Sequence, residues 1–390
     1  MPPETVHGGV KKEFSVRFHD QYRDWLNSRY EKDVEDPKQK QHLSAAILKK
    51  RKDKTEDMPA EEDRVVTDSS PPVPTIHGFE NEIKSLKHFL LDQKVKKEFK
   101  SLVIVGEYGV GKTALCKKIF NDKDVTSVYA PRIWVSMDRK KGQNNSPEKE
   151  RLDGKIYVLK KILTALGVKD SILETIRRDA NNEAKENQEN ASNQQAGEID
   201  RDTADEKELS ALLYALHLSL RWKKYLIVFD DVREEDHWDE ILQDDEEKLK
   251  KEKKWGKYLS DGFPKGSGGR VIYTTRNEDE KDEKDTLAKK LVAEEHEIHR
   301  LWPLTDTGSV WNIYEEALIK NGEKPPRNDK KCIDELMNKS RGLPLAASLL
   351  AELLPVFLDD EKTEENDSET PESDSNTTPE ENAAIPAQQA

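Results

Sequence analysis

The chain has 390 residues, 34% of them hydrophobic and 37% charged, with a formal net charge of −14 and a mean hydropathy of −0.93. That charge excludes a general nucleic-acid binder, whose affinity rests on cationic surface, and no apolar run reaches the roughly 18 residues of a membrane span. Cys116 and Cys332 match no metal-ligand or redox spacing, so both read as small core residues of a reduced, intracellular protein, cytoplasmic or nuclear.

In chain order, Phe18, Tyr22, Trp25, Leu26 and Tyr30 recur at helical spacing, so residues 1–54 are expected to hold a helical segment. The opening residues lack the basic-then-apolar layout of a signal peptide, and Lys49 to Lys52 read as a solvated charge run. Residues 55–74, rich in Glu, Asp, Ser and Pro, have linker chemistry. Ile83, Leu86, Phe89 and Leu90 predict a helix, and Leu102 to Val105 a buried strand. A second strand is expected at Arg132–Ser136, then an amphipathic helix through Ile156, Leu159, Ile162, Leu163 and Leu166. About 177–207, almost without large apolar side chains, is expected to be a disordered insertion. Leu209, Leu212, Leu213, Leu216 and Leu220 mark a one-sided helix that feeds a strand at Tyr225–Phe229. Further strands are expected at Arg270–Thr274 and Glu297–Leu301. After Leu304 the pattern is helical only, with helices at Val310–Ile319, Cys332–Asn338 and Pro344–Leu354, and the acid-rich residues 359–390 are expected to be disordered. The resulting division is a nucleotide-binding domain at 75–302 and a small helical subdomain at 303–358.

The chemistry gathers around Gly106-x-x-x-x-Gly111-Lys112-Thr113, a P-loop that follows a strand and opens a helix. Its glycines let backbone N–H groups curl around phosphate oxygens, Lys112 can reach the β- and γ-phosphates, and the Thr113 hydroxyl can ligate Mg²⁺. Gly106, Gly109, Val110, Gly111 and Ala114 complete the expected cradle, at the positive end of a helix dipole. Leu226 to Phe229 then run into Asp230 and Asp231, a Walker B strand. Asp230 is expected to serve Mg²⁺, largely through water, and Asp231 is the nearby group that can position or activate an attacking water, the candidate catalytic residue. Arg276, at the end of the following strand, lies on the ligand side of an α/β sheet, where its fork can read a phosphate. No Asn-Lys-x-Asp string supports guanine specificity, and His296 and His299 are too close together for a zinc-protease motif.

Taken together, Gly106 to Thr113, Arg132 to Ser136, Tyr225 to Val232, Gly266 to Arg276, Leu301 to Leu304 with Trp311, and Gly342 to Ala346 resemble the NB-ARC domain of plant disease-resistance proteins over about residues 75–358. The resemblance implies a STAND-class P-loop switch that holds ADP at rest and ATP when activated, with Mg²⁺, on a five-stranded parallel α/β sheet whose sensor strand lies between the P-loop and Walker B strands. It implies that Arg276 senses the γ-phosphate and that Pro344 packs near adenine and sugar. The family's usual Gly-Arg is here Gly78-Phe79. Winged-helix, Met-His-Asp and leucine-rich-repeat regions are not found, so the expectation is a truncated family member, at most a slow ATPase. Its expected partners are adenine nucleotide and other immune receptors or signalling proteins. The alternative reading is a non-catalytic interaction protein with a vestigial nucleotide site that modulates full-length receptors.

Overall fold

Five short runs of apolar residues build the centre of the molecule. In the computed structural model they are β1 (Lys100–Gly106), β2 (Arg132–Ser136), β3 (Leu226–Val232), β4 (Arg270–Arg276) and β5 (Ile298–Leu301). All pair in parallel, in the order β2-β3-β4-β1-β5, so β4, which ends in Arg276, lies between the P-loop strand and the Walker B strand. Layers of helix cover both faces of such a sheet, which is why Val103 to Val105 and Leu226 to Phe229 read as unbroken apolar runs rather than alternating ones. The structure describes residues 64–72, 76–92, 97–138, 146–192, 203–238, 240–242, 256–276, 286–322, 324 and 330–353. The helical segment expected within 1–54 and the expected tail lie outside the described residues. The chain divides into units 1–352 and 353–390, and all described residues but Leu353 belong to the first.

The helices are α1 (Glu80–Leu91), α2 (Lys112–Phe120), α3 (Lys123–Val128), α4 (Pro147–Ala165), α5 (Asp170–Ser192), α6 (Ala204–Leu220), α7 (Leu287–Leu291), α8 (Thr307–Lys320), α9 (Lys330–Ser340) and α10 (Pro344–Leu353). Local chemistry sets their starts. Thr203 and Glu206 close a capping box at α6, Asp122 caps α3, and the Asp306 carboxylate accepts from the Ser309 N–H at the head of α8. The buried stripe of Leu209, Leu212, Leu213, Leu216 and Leu220 holds α6 to the sheet, each leucine contributing about 1.5–3 kcal/mol.

Two expectations need correction. The stretch expected as a disordered insertion is helical as far as Ser192, and α6 already begins at Ala204. Ala, Glu, Lys and Gln are good helix formers, and Leu173, Ile176 and Ala180, at i, i+3 and i+7, give α5 a thin apolar stripe that packs against its neighbours. Residues 64–72, expected as linker, instead run across the carboxyl ends of β2 and β3 and bond to them. Of the two cysteines, Cys116 is buried as expected, whereas Cys332 on α9 is only half-buried.

The helical region after β5 is locked by a close backbone contact. Gly342 has a φ of 73°, and a Cβ there would meet the Leu304 carbonyl oxygen at 2.0 Å. Only glycine fits, and the Leu304 N–H donates to the Gly342 carbonyl at 2.8 Å.

Candidate functional site

The site forms where β1 and β3 end, with β4 between them. Gly109 and Gly111 take φ values of 83° and 105°, conformations that favour glycine, and let the chain turn from β1 into α2. The Val110 N–H donates to the Glu107 carbonyl at 3.3 Å and the buried Val110 side chain pins the loop, while Ala114 follows in the first turn of α2. Lys112 is 8% exposed, and its ammonium donates to the carbonyls of Gly106 (2.8 Å) and Glu107 (2.9 Å). Burial pulls this ammonium down to about 8, an effect that Asp231 and Asp230 oppose.

The two acids of β3 sit in a bulge. Pairing with β4 is regular to Phe229↔Tyr273 and resumes at Val232↔Thr275, so Asp230 and Asp231 together face the single residue Thr274. Asp231 absorbs the extra length with a φ of 63°. The Thr274 hydroxyl ties the bulge together: it donates to Asp230 Oδ1 at 2.7 Å and accepts from the Asp231 N–H at 2.8 Å.

The carboxylates then meet different surroundings. Asp230 is 1% exposed and accepts hydroxyl hydrogen bonds from Thr113 (3.0 Å to Oδ1), Thr274, and Thr67 (2.8 Å to Oδ2). Burial raises its pKa, and the three hydroxyls work against that rise. Asp231 instead receives Arg233 on Oδ2, through Nη2 at 2.9 Å and Nε at 3.2 Å, and Arg276 Nε on Oδ1 at 3.3 Å. Burial pushes this carboxyl up, but the guanidinium groups of Arg276 and Arg233 outweigh it and hold the pKa below the ordinary range. Register places Arg276 directly beside Gly106, with its guanidinium 4.6 Å from the centre of the Tyr108 ring.

Pro344 arrives from far along the chain. Measured from where a Gly111 Cβ would stand, the Phe79 ring lies 3.5 Å away and the Pro344 ring 4.0 Å away. The Leu345 N–H donates to the Gly109 carbonyl at 3.2 Å, so the first turn of α10 is bonded to the P-loop itself. Every residue singled out in the sequence thus converges on one place: Gly106 to Ala114, Asp230, Asp231, Arg276 and Pro344.

The donor set suits Mg²⁺ beside phosphate. Thr113 offers a hydroxyl and Asp230 a buried carboxylate, and Mg²⁺ is commonly held by one or two carboxylates together with phosphates and water. Among the described residues no three His, Cys, Asp or Glu side chains cluster to hold a metal alone. Sequence reasoning missed Thr67 and Arg233 as neighbours of the site. Arg233, two residues past Asp231, was legible as a flanking cation. Thr67 was not, because its role arises from a chain path that no local pattern encodes.

Strand order, P-loop and Walker B pair define a P-loop nucleotide-binding protein. The NB-ARC domain model matches residues 79–153. An Arabidopsis thaliana relative, "Probable disease resistance protein At5g45490", is 63% identical over 363 residues, covering 93% of each chain. Disease resistance protein RPP13 of the same plant is 30% identical over 285 residues, 71% of this chain and 25% of that protein. Among solved structures, the Walker-type ATPase PABY2304 of Pyrococcus abyssi overlays with a TM-score of 0.38 at 11% identity, covering 73% of this chain and 70% of that one. The chain belongs to the NB-ARC disease-resistance proteins of plants, a nucleotide-binding family. Among the described residues, no helix is long and apolar enough to cross a membrane.

Proposed function

We propose that the protein binds ADP or ATP with Mg²⁺ and acts in plant defence as a nucleotide-dependent switch with slow turnover. The observation that carries this reading is the meeting of Lys112, Thr113 and Asp230 at the carboxyl edge of one parallel sheet, with Arg276 beside Gly106. Lys112 and the loop N–H groups would bind the phosphates, Thr113 and Asp230 would hold Mg²⁺, and Phe79 and Pro344 would border the nucleoside. Mg²⁺ would supply charge neutralisation at the phosphate oxygens.

Slow turnover follows from Asp231. A general base works best with a pKa near the working pH. Both of its oxygens are held by guanidinium groups, and its pKa lies on the wrong side. Its position supports holding Arg233 and Arg276 in place more than taking a proton.

ADP with Mg²⁺ is expected to raise the Tm of the purified protein, by the equivalent of about 2.7 kcal/mol at a hundredfold excess over Kd. Lys112→Met is expected to remove that rise. A wild-type Tm indifferent to ADP, together with no nucleotide released on denaturation, would overturn the reading.

A further inference from the structure

Residues 64–72 form an irregular strap fastened at three points. At its start Arg64 Nη1 donates to the Met137 carbonyl (2.7 Å) and to Asp236 Oδ1 (2.5 Å), while Nη2 donates to Glu235 (3.0 Å). Further along, the Ser69 carbonyl accepts from Asn121 Nδ2 at 2.8 Å, and Asp68 pairs with Lys117 at 3.4 Å. Between these anchors lies Thr67. Its N–H donates to Ser136 Oγ (3.0 Å), and its hydroxyl accepts from Trp134 Nε1 (3.0 Å) and donates to Asp230 Oδ2 (2.8 Å).

That hydroxyl proton has one direction open to it. The indole N–H can only donate and an ionised carboxylate can only accept, so the Thr67 proton is aimed at Asp230. Thr113 and Thr274 reach Asp230 from α2 and β4, elements built on the sheet, whereas Thr67 comes from a segment that the sheet does not contain.

We propose that Thr67 is a positioning residue for the Mg²⁺ site, and that the seating of the strap at residues 64–72 and the binding of Mg²⁺-nucleotide are thermodynamically coupled through Asp230. The inference rests on the nucleotide reading above and adds to it a second input. Groups that orient a metal-binding carboxylate set its affinity for the metal. Coupling is reciprocal, so whatever the strap does for Mg²⁺-nucleotide, Mg²⁺-nucleotide does for the strap. The chain that precedes Arg64 therefore has a covalent route to the cation site, one that bypasses the helical subdomain.

The test uses the full chain, with ADP affinity measured by calorimetry in Mg²⁺ and again in EDTA. Thr67→Val, which keeps the shape and removes the hydroxyl, is expected to weaken Mg²⁺-ADP binding about 10-fold while changing ADP binding in EDTA less than twofold. Thr67→Ser is expected to stay near wild type. A second arm needs no variant: hydrogen exchange at the Thr67 amide should slow on adding Mg²⁺-ADP and not on adding ADP in EDTA. Thr67→Val with wild-type affinity for Mg²⁺-ADP, equal losses with and without Mg²⁺, Thr67→Ser as impaired as Thr67→Val, or an amide indifferent to Mg²⁺-ADP would each overturn the proposal. A wild-type protein without affinity for ADP under either condition would remove the nucleotide reading first, and this inference with it.

Discussion

Asp230 and Asp231 are neighbours in one bulge, yet the regions on either side treat them as different reagents. On the strap side Asp230 is surrounded by uncharged hydroxyls, which orient it without bonding it to a cation. On the sensor side Asp231 is closed by two guanidinium groups, which cancel its charge and take up both oxygens. A buried carboxylate without a cation is costly, so the first is suited to receive one and the second already has its own. The pair of letters in the sequence hides two different settings: one acid held by hydroxyls, one by arginines.

The sharpest way to break the contrast is Asp230→Asn. It is expected to reduce Mg²⁺-ADP affinity about 100-fold, the upper range for groups that tune a metal site, and to leave ADP binding in EDTA intact; calorimetry in the two buffers reads both.

Asp231→Asn should behave in the opposite way. Asparagine accepts a positive φ, so the bulge can survive, but Arg233 and Arg276 lose a charged acceptor. The expected cost is about 1–3 kcal/mol of stability at pH 7, read by denaturant unfolding. The sign with pH follows from the lowered pKa. Stability from Asp231 is present in full above the ordinary 3.8 and lost as pH falls toward the lower folded value. Wild type should therefore destabilise more steeply than Asp231→Asn below about pH 4.

Lys112 feels the charge of both acids. Its ammonium titrates at about 8 in the free protein, and phosphate would raise that value, so binding takes up a proton above pH 8. ADP affinity should hold steady from pH 6.5 to 7.5 and fall by up to tenfold per unit above about 8. Asp231 is the stronger of the two acids opposing the fall in the Lys112 pKa. The onset of the loss should thus move to lower pH in Asp231→Asn than in Asp230→Asn. The smallest effect is expected for Arg233→Lys. It keeps the charge but loses the fork geometry, and with Arg276 still on the other oxygen it should cost about 0.5–1 kcal/mol.

Much of this arrangement was legible before any coordinates. The P-loop has fixed spacing, and the Walker B strand announces itself by four apolar residues before two acids, because strands buried on both faces carry little polar chemistry. Gly342-Leu343-Pro344 was recognisable through family resemblance, although nothing local reveals that it would meet Gly111. Two physical reasons account for what stayed hidden. In α5, alanine does the work of a larger apolar residue, so Ala180 was counted as part of a polar stretch. In the strap, acids, serines and prolines have the composition of a linker, and the bonds that seat Arg64 and Thr67 depend on groups from about 70 to more than 160 positions away. Composition measures how much surface a segment can bury. It does not measure how many specific hydrogen bonds wait for it.

The bond from the Leu345 N–H to the Gly109 carbonyl makes the cradle's rim double as a latch. A hinge movement that carries α10 away must open that latch and leave a P-loop carbonyl to find another donor, at a cost of about 1 kcal/mol. The helices after β5 and the phosphate cradle are therefore joined by a main-chain hydrogen bond, and separating α10 from the loop must break it.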